Sequence, residues 1–448
     1  MIDTATACDR VSALIDKARR AGADAADAIT IGEASSGVSV RLGALEDVHS
    51  SEGAEIGLRV FRGRRSASVA SSDPSDAALD QLVERAMAMA AEAPEDEYAG
   101  LAPSDMLARG PLADLDLDDA GEIDPQALRA RAEEAEDAAR AVSGITNSNG
   151  GSSSASRSVV ALATSDGFAN AYRASGHSCS ASVVAGEGSA MQRDYAWHSA
   201  RHLKDLEAPD VIGRRAGERT VKKLGPVSFT GGTMAVLFEP RVATSLLGHF
   251  AGAINGASIA RQASFLLGKL GEKVFADGIT LVDDPTRKGA LRSRLFDGEG
   301  LPVKRMELVS DGVLNGWLAA SAAARQLGIA PTGHAVRGIS GPPGAGPSNL
   351  YIEAGARSRE EMFAAEERAI FVTELIGQGV NGITGDYSRG ASGFLIEKGE
   401  IVGPVSGITI ASNLIDMLRT LEPASDLQFR RGIDSPTLRV PAMTVAAG

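Results

Sequence analysis

Two hydrophobic periodicities, and the irregular order in which they succeed one another, constrain this chain more than any other feature. Val11, Leu14, Ile15 and Ala18 recur at helical spacing and Gly22 follows, the pattern of an amphipathic helix with a glycine stop. The period then drops to two: Ile29 and Ile31, then Val38, Val40 and Leu42, then Ile56, Leu58 and Val60, which reads as several half-buried strands. Asp73-Pro74 opens a second helix with Leu79, Leu82, Val83 and Ala86 on one face. Asp124-Pro125 caps a third, carrying Leu128, Ala132, Ala135, Ala139 and Val142. Residues 94–123 are rich in Pro, Asp, Glu and Gly and read as a linker or an irregular crossing. From 144 to 200, Ser and Gly are dense among short alternating runs, such as 159–162 and 180–184, which predicts antiparallel strands and hairpins. Pro209 begins a helix that ends near Gly225, and a strand over 234–238 leads into a helix carrying His249. The remainder mixes strands, glycine turns and two or three helices, one of them expected over 360–378 around Leu375.

Strands that do not alternate regularly with helices disfavour a βαβ series and favour a mixed α+β fold. The expected architecture is an N-terminal helix–strands–helix region and a larger mixed, mainly antiparallel β C-terminal domain. The best division lies near 226, giving 1–225 and 226–448, with a sub-division near 94–123.

At 448 residues, 44% hydrophobic and 23% charged, the chain has the make-up of an ordinary globular protein. Its 51 glycines and 4% aromatics suit tight turns and alanine-rich packing better than an aromatic ligand cage. A net charge of −13 repels phosphate backbones. Direct nucleic-acid binding would need a segregated basic face, for which Arg214, Arg215, Arg219, Lys222 and Lys223, or Arg287, Lys288, Arg292 and Arg294, are the candidates. Solvated helix faces are the better reading of both clusters. Two distant cysteines, Cys8 and Cys179, form no disulfide framework and fit a reducing compartment. No secretory signal opens the chain and no apolar run has the length of a membrane span, so the expected location is the cytoplasm.

The segment Ser245-Leu-Leu-Gly-His249-Phe-Ala-Gly-Ala-Ile-Asn255 holds one histidine. A helical zinc site needs a second histidine about one turn away, with an acidic residue beside the first. Here Thr244 and Ser245 lie one turn back and Ala253 one turn forward. His198 and His202 are four apart without a carboxylate beside them, in a stretch that reads as strand, and His177 and Cys179 are two apart on another. Ser392, in Gly390-Ala-Ser392-Gly393, precedes a strand pattern where a nucleophile elbow needs a helix. Gly341-Pro-Pro-Gly-Ala-Gly346 lacks the Gly-Lys-Ser/Thr of a phosphate cradle and reads as a surface turn. Asp283-Asp284-Pro suits a cation or a turn opening. Asp297-Gly-Glu299-Gly reads first as a turn joining two strands.

Three long patterns lie in the second half. One runs Phe296-Asp-Gly-Glu-Gly-Leu-Pro-Val-Lys-Arg-Met-Glu-Leu-Val-Ser-Asp-Gly-Val-Leu-Asn-Gly-Trp317 and continues to Thr332-Gly-His334-Ala. Another is Gly385-Asp-Tyr-Ser-Arg-Gly-Ala-Ser-Gly-Phe-Leu-Ile-Glu397-Lys-Gly-Glu-Ile401. The third is Leu246-Leu-Gly-His249-Phe with Ala253-Ile-Asn-Gly256 and Ile259-Ala-Arg261. Together with Gly22-Ala-Asp24 and Ile56-Gly-Leu-Arg-Val60, they resemble the TldD/PmbA family over nearly the whole chain. That family, formerly grouped as candidate modulators of DNA gyrase, has two branches that pair as a heterodimeric metallopeptidase. The TldD branch carries a His-Glu-x-x-x-His zinc helix completed by a later cysteine. Laid on that motif, His249 matches its last histidine, Thr244 falls on the first and Ser245 on the acidic base, and no cysteine follows Cys179.

The resemblance therefore implies the TldE (PmbA) branch. Such a chain has no catalytic or metal-binding residue and no cofactor of its own, and zinc is expected in a TldD-type partner. Its implied partners are that zinc subunit, in a heterodimer, and unfolded peptide substrates; the isolated chain is also compatible with a homodimer. The family is further linked to microcin maturation and antitoxin degradation. Gly385, Asp386, Tyr387, Ser388 and Arg389 are the candidates for part of a peptide-channel wall, beside the plainer reading of a glycine-turn hairpin. The alternatives are an independent peptidase using His198, His202 or Ser392, and a gyrase-modulating regulator.

Overall fold

In the computed structural model, which describes residues 2–447, the first helical period becomes α1 (Thr4–Arg20), capped by Asp3 accepting from the Thr6 backbone N–H at 2.9 Å. Gly22, at φ 94°, turns the chain out of it. β1 (Ala25–Arg41), β2 (Ala44–Arg62) and β3 (Arg65–Ser71) follow, then α2 (Asp76–Glu92), α3 (Pro125–Arg140), β4 (Ile145–Thr164), β5 (Ala169–Ala185), β6 (Gln192–Ala200) and α4 (Pro209–Lys222). The six strands form one antiparallel sheet in the order β3-β2-β1-β4-β5-β6. Three local expectations shift. Ser75, not Asp73, caps α2 through the Ala78 N–H; α3 ends before Val142; and Leu42 sits exposed at the β1–β2 turn with φ 53°.

α1 and α2 cover one face of this sheet, packing Val11, Leu14 and Leu82 on Leu58, Val60 and Ala161. α3 and α4 cover β5 and β6 through Ala135, Ala139, Ile212 and Ala216. Residues 94–123 are no free linker. Ala102 and Leu107 pack on Ile29, Leu162 and Phe168 of the opposite face, together with Phe296 and Leu301 from the second half. Leu115 and Leu117 are buried beside Ala174. Most of the charged residues lie on the outer side of this strap, whose buried apolar residues are Ala102, Leu107, Leu115 and Leu117.

The second half begins with β7 (Gly232–Phe238), α5 (Pro240–Ala253) and α6 (Gly256–Ala260). Short strands β8 (Leu281–Asp283), β9 (Met306–Ser310), β10 (Val313–Leu314), β11 (Ala335–Val336), β12 (Gly344–Ala345) and β13 (Leu350–Ile352) follow, with α7 (Ser321–Leu327) among them. Then come α8 (Arg359–Ala364), β14 (Arg368–Ile376), β15 (Asp386–Glu397), β16 (Glu400–Asn413), α9 (Leu414–Thr420), β17 (Glu422–Pro423), β18 (Ile433–Asp434) and β19 (Leu438–Ala446). The larger sheet is ordered β16-β15-β14-β7-β19-β17, and pairing of β16 with β19 closes five of these strands into a ring. Among the described strands, only β7–β14 and β13–β18 pair in parallel. Val236, Ile370, Val372, Tyr387 and Val440 share a core with Leu246, Leu247 and Phe250 of α5.

The helix expected over 360–378 is a correction. A capping box between Ser358 and Glu361 starts α8, which stops at Ala364. The β-branched and aromatic run Ile370-Phe-Val-Thr373 continues as the central strand between β7 and β15, where burial on both faces outweighs the helix preference of the Ala- and Glu-rich residues before it.

Candidate functional site

α5 follows β7 directly, and its first turns face the end of β15. Thr244 Oγ1 donates to the Arg241 carbonyl at 3.0 Å and Ser245 Oγ to the Val242 carbonyl at 2.7 Å, so both hydroxyls turn back on their own helix. One turn on, the half-buried His249 ring meets the Tyr387 ring edge-on, centroids 6.2 Å apart. Burial, and then the positive charge of Arg389, hold the His249 imidazole below its ordinary pKa, so it is neutral at pH 7. Burial pushes the Tyr387 phenol up to about 12, with Arg389 pulling the other way. Two groups of residues picked out separately in the sequence thus form one place.

The alternation of β15 sorts its candidates. Tyr387 and Arg389 point inward, whereas Asp386 and Ser388 are exposed. Asp386 accepts from Thr384 Oγ1 at 2.7 Å and from Asn413 Nδ2 at 3.2 Å; Gly385, at φ 83°, shapes the turn and accepts the Leu414 N–H at 2.7 Å. Two of the five residues therefore face α5.

In front of them lies a cavity of about 700 Å³. Ser180, Ser182, Asp194, Tyr195 and Trp197 of β5 and β6 form one wall. Arg241 and Ser245 of α5, Thr373 to Leu375 of β14 and Arg389 of β15 form the other. Asp194 ties the walls together: Arg241 donates to both its oxygens at 2.7 and 2.9 Å, and Lys223 Nζ lies 3.0 Å away. Burial alone would raise the Asp194 carboxyl, but these cations hold it at about 2. Arg241 also donates to Glu239 at 2.6 Å, Arg219 meets Glu239 at 3.0 Å and Lys223 meets Glu374 at 2.9 Å. Sequence reading missed Asp194, Arg241 and Thr373. The first two are 47 residues apart with no local pattern linking them, and Thr373 fell inside the helix expected over 360–378.

The remaining candidates are dispersed. His198 Nδ1 accepts the Glu207 N–H at 3.0 Å, while His202, beyond the end of β6, meets Asp116 Oδ1 at 3.1 Å, so the pair shares no helical face. His177 is 3.2 Å from Asp119, and burial pushes the Cys179 thiol up to about 11, leaving it protonated. Ser392 lies within β15, not at a strand–helix elbow. The 341–346 loop contains β12 and meets Asn255 Nδ2 through the Ala345 carbonyl at 2.7 Å. Asp283 turns inward to Ser348 at 2.7 Å and to His334 at 3.3 Å, whereas Asp284 caps its own turn at Thr286. Asp297 joins no pair of strands; buried, it accepts the Glu299, Leu301 and Ala335 N–H groups. Of the basic clusters, Arg214, Arg215, Arg219 and Lys223 are each paired with a carboxylate, and Arg287 lies over the Phe429 ring at 3.5 Å.

The donor set on α5 does not suit zinc: one imidazole, two hydroxyls committed to helix carbonyls, and a guanidinium nearby. Among the described residues no group of three or more His, Cys, Asp or Glu is placed to hold a metal ion, and no helix is long and apolar enough to cross a membrane.

Three models of the PmbA/TldA metallopeptidase match: domain 1 over residues 26–90, the central domain over 118–224 and the C-terminal domain over 231–447. The chain is 38% identical over 413 residues to the metalloprotease PmbA of Escherichia coli O157:H7, covering 91% of this chain and 89% of that one. It is 35% identical to a metalloprotease PmbA homolog of Haemophilus influenzae, covering 97% and 95%. Its fold is similar to a Bacteroides thetaiotaomicron protein named as a candidate modulator of DNA gyrase (26% identity, 98% of both chains, TM-score 0.91). It also matches the fold of TldE from Thermococcus kodakarensis (22% identity, 98% and 100%, TM-score 0.87). On these similarities, and on the fold they share, the chain belongs to the PmbA/TldD metallopeptidase family.

Proposed function

We propose that this chain is the TldE/PmbA-like subunit of a cytoplasmic TldD/TldE-type zinc metallopeptidase acting on unfolded peptides, that it carries no zinc itself, and that it works as a heterodimer with a TldD-type chain that does. The observation that carries this reading is the chemistry of α5. A catalytic zinc helix needs two imidazoles and a carboxylate able to take a proton from the metal-bound water. Here Thr244 and Ser245 bond to their own helix, and the charged group nearest the lone His249 in its electrostatics is the cation Arg389. Such a helix repels a divalent ion and has no base. What it retains is shape: a wall beside a cavity lined by hydroxyls and charged side chains, suited to holding an extended chain.

The test is reconstitution. The purified chain is expected to hold well under one equivalent of zinc by elemental analysis and to cleave no unfolded peptide; adding a TldD-type chain should yield a one-to-one complex and chelator-sensitive cleavage. One tightly held zinc per isolated chain would sink this assignment. So would peptidase activity of the isolated chain that resists a chelator and is lost in Ser392→Ala or His198→Ala.

A further inference from the structure

We propose that the cavity between β6, α5 and β15 is a carboxylate-binding subsite, with the Arg389 guanidinium taking the anion and the Thr373 and Ser245 hydroxyls lying beside it. Arg389 is only 9% exposed, lines the cavity and forms no ion pair among the described residues, and its Nε has no hydrogen-bond partner. Its neighbours on the same walls differ: Lys223 and Arg241 are matched by Asp194, Glu239 and Glu374. Thr373, at the bulge where the β14–β15 register shifts between Val372 and Glu374, has a buried hydroxyl that is also unpartnered. So do the Tyr387 hydroxyl and His249 Nε2 just behind. Four unsatisfied polar groups in one neighbourhood are far from what packing alone produces, and an uncompensated buried guanidinium is the most costly of them.

The charge count selects the ligand class. Among the described residues Arg389 is the one buried cation of these walls without a carboxylate partner, and it calls for one negative charge; Arg193, also without an ion pair, is exposed, while Asp194 and Glu374 on the same walls oppose a dianionic phosphate. The planar guanidinium fork matches a carboxylate. Val242, Leu375 and Tyr195 supply apolar surface, and about 700 Å³ is the size of a small-ligand pocket. In the reading proposed above, the anion is a peptide carboxylate, from the C-terminus or from an acidic side chain.

Calorimetric titration of the full chain alone tests this without a partner, so its failure and the failure of complex formation are separate results. The probes are N-acetyl-tetra-alanine with a free carboxylate, the same peptide amidated, and an amidated version with one internal Glu. The free acid should bind at least about tenfold more tightly than the amide; binding restored by the internal Glu assigns the anion to side chains, and its absence assigns it to the C-terminus. Arg389→Gln should abolish the preference while leaving the melting temperature unchanged or higher, since it removes an unpaired charge. Thr373→Val should weaken binding of the acid, and serves if Arg389→Gln does not fold. Equal binding of acid and amide, no binding of any carboxylate probe, or a preference that survives Arg389→Gln would each overturn the proposal.

Discussion

Asp194 is where the charges of the cavity converge, and its chemistry sets a pH dependence. Its carboxyl is held at about 2 against an ordinary 3.8 by Arg241 and Lys223. A depressed carboxylate contributes stability that is complete above its unfolded pKa and is lost as the pH falls through the folded one. The window is therefore about pH 4 down to about pH 2, and the contribution is on the order of 2 kcal/mol. Urea unfolding should show Asp194→Asn less stable than wild type at pH 7, with the gap narrowing as the pH falls from 4 to 2. A gap that stays constant over that range would mean that the ion pairs contribute nothing. The residue scale also divides what a sequence displays from what it hides. His249 without an acid or a second histidine one turn away is a local pattern, visible at once. That Arg389 and Thr373 lack partners is a statement about every element packed around them, and no window of sequence contains it.

Among the elements, α3 and α4 illustrate why this chain uses so much glycine and alanine. Gly213 and Gly217 of α4 lie one turn apart against α3 and the residues that follow it. A Cβ on Gly213 would stand 2.0 Å from the Ala135 carbonyl oxygen, and one on Gly217 would stand 2.5 Å from Val142 Cγ2. Gly213→Ala must push the helices apart and is expected to cost about 1–3 kcal/mol. Gly248 is the counter-case: exposed on α5, with nothing within 4 Å of its would-be Cβ. Gly248→Ala should stabilise the chain by about 0.5–1 kcal/mol. Thermal melts that rank the two substitutions the other way would refute this account of the packing. α1 and α3 were legible because each buries one apolar stripe at helical spacing, Val11, Leu14, Ile15 and Ala18 in the first and Leu128, Ala132, Ala135 and Ala139 in the second. β14 was not: buried on both faces, its Ile370-Phe-Val-Thr373 run shows no alternation, and the helix-prone residues of α8 run straight into it. The strap over 94–123 is the irregular crossing among the two readings its composition allowed; which of its residues face inward was not legible, since a few buried leucines in a charged segment carry no period.

Across the whole molecule, the antiparallel sheet of the first half is fastened to the second half by a buried ion triad. Asp27 of β1 contacts both Arg59 of β2 and Arg337, which follows β11, and all three are nearly inaccessible. Burial alone would raise the Asp27 carboxyl, but the two guanidinium groups hold it below the ordinary range. Arg325 of α7 reinforces the junction, donating to the Tyr98, Gly100 and Leu101 carbonyls of the strap at 2.8 to 2.9 Å. Desolvating three charges is expensive, so the arrangement is most sensitive to losing the member that the other two share. Arg337→Ala leaves Asp27 still matched by Arg59, one anion to one cation. Asp27→Ala leaves two buried cations facing each other with no anion between them. Denaturant unfolding should therefore rank Asp27→Ala as more destabilising than Arg337→Ala, with the single-partner loss costing about 3 kcal/mol and the shared-partner loss more. Equal costs would mean that Arg59 and Arg337 are satisfied independently of Asp27. Because the triad spans the two halves, both substitutions should also lower the cooperativity of unfolding, read as a smaller denaturant slope, whereas Gly213→Ala, confined to the α3–α4 contact, should shift the midpoint and leave that slope unchanged.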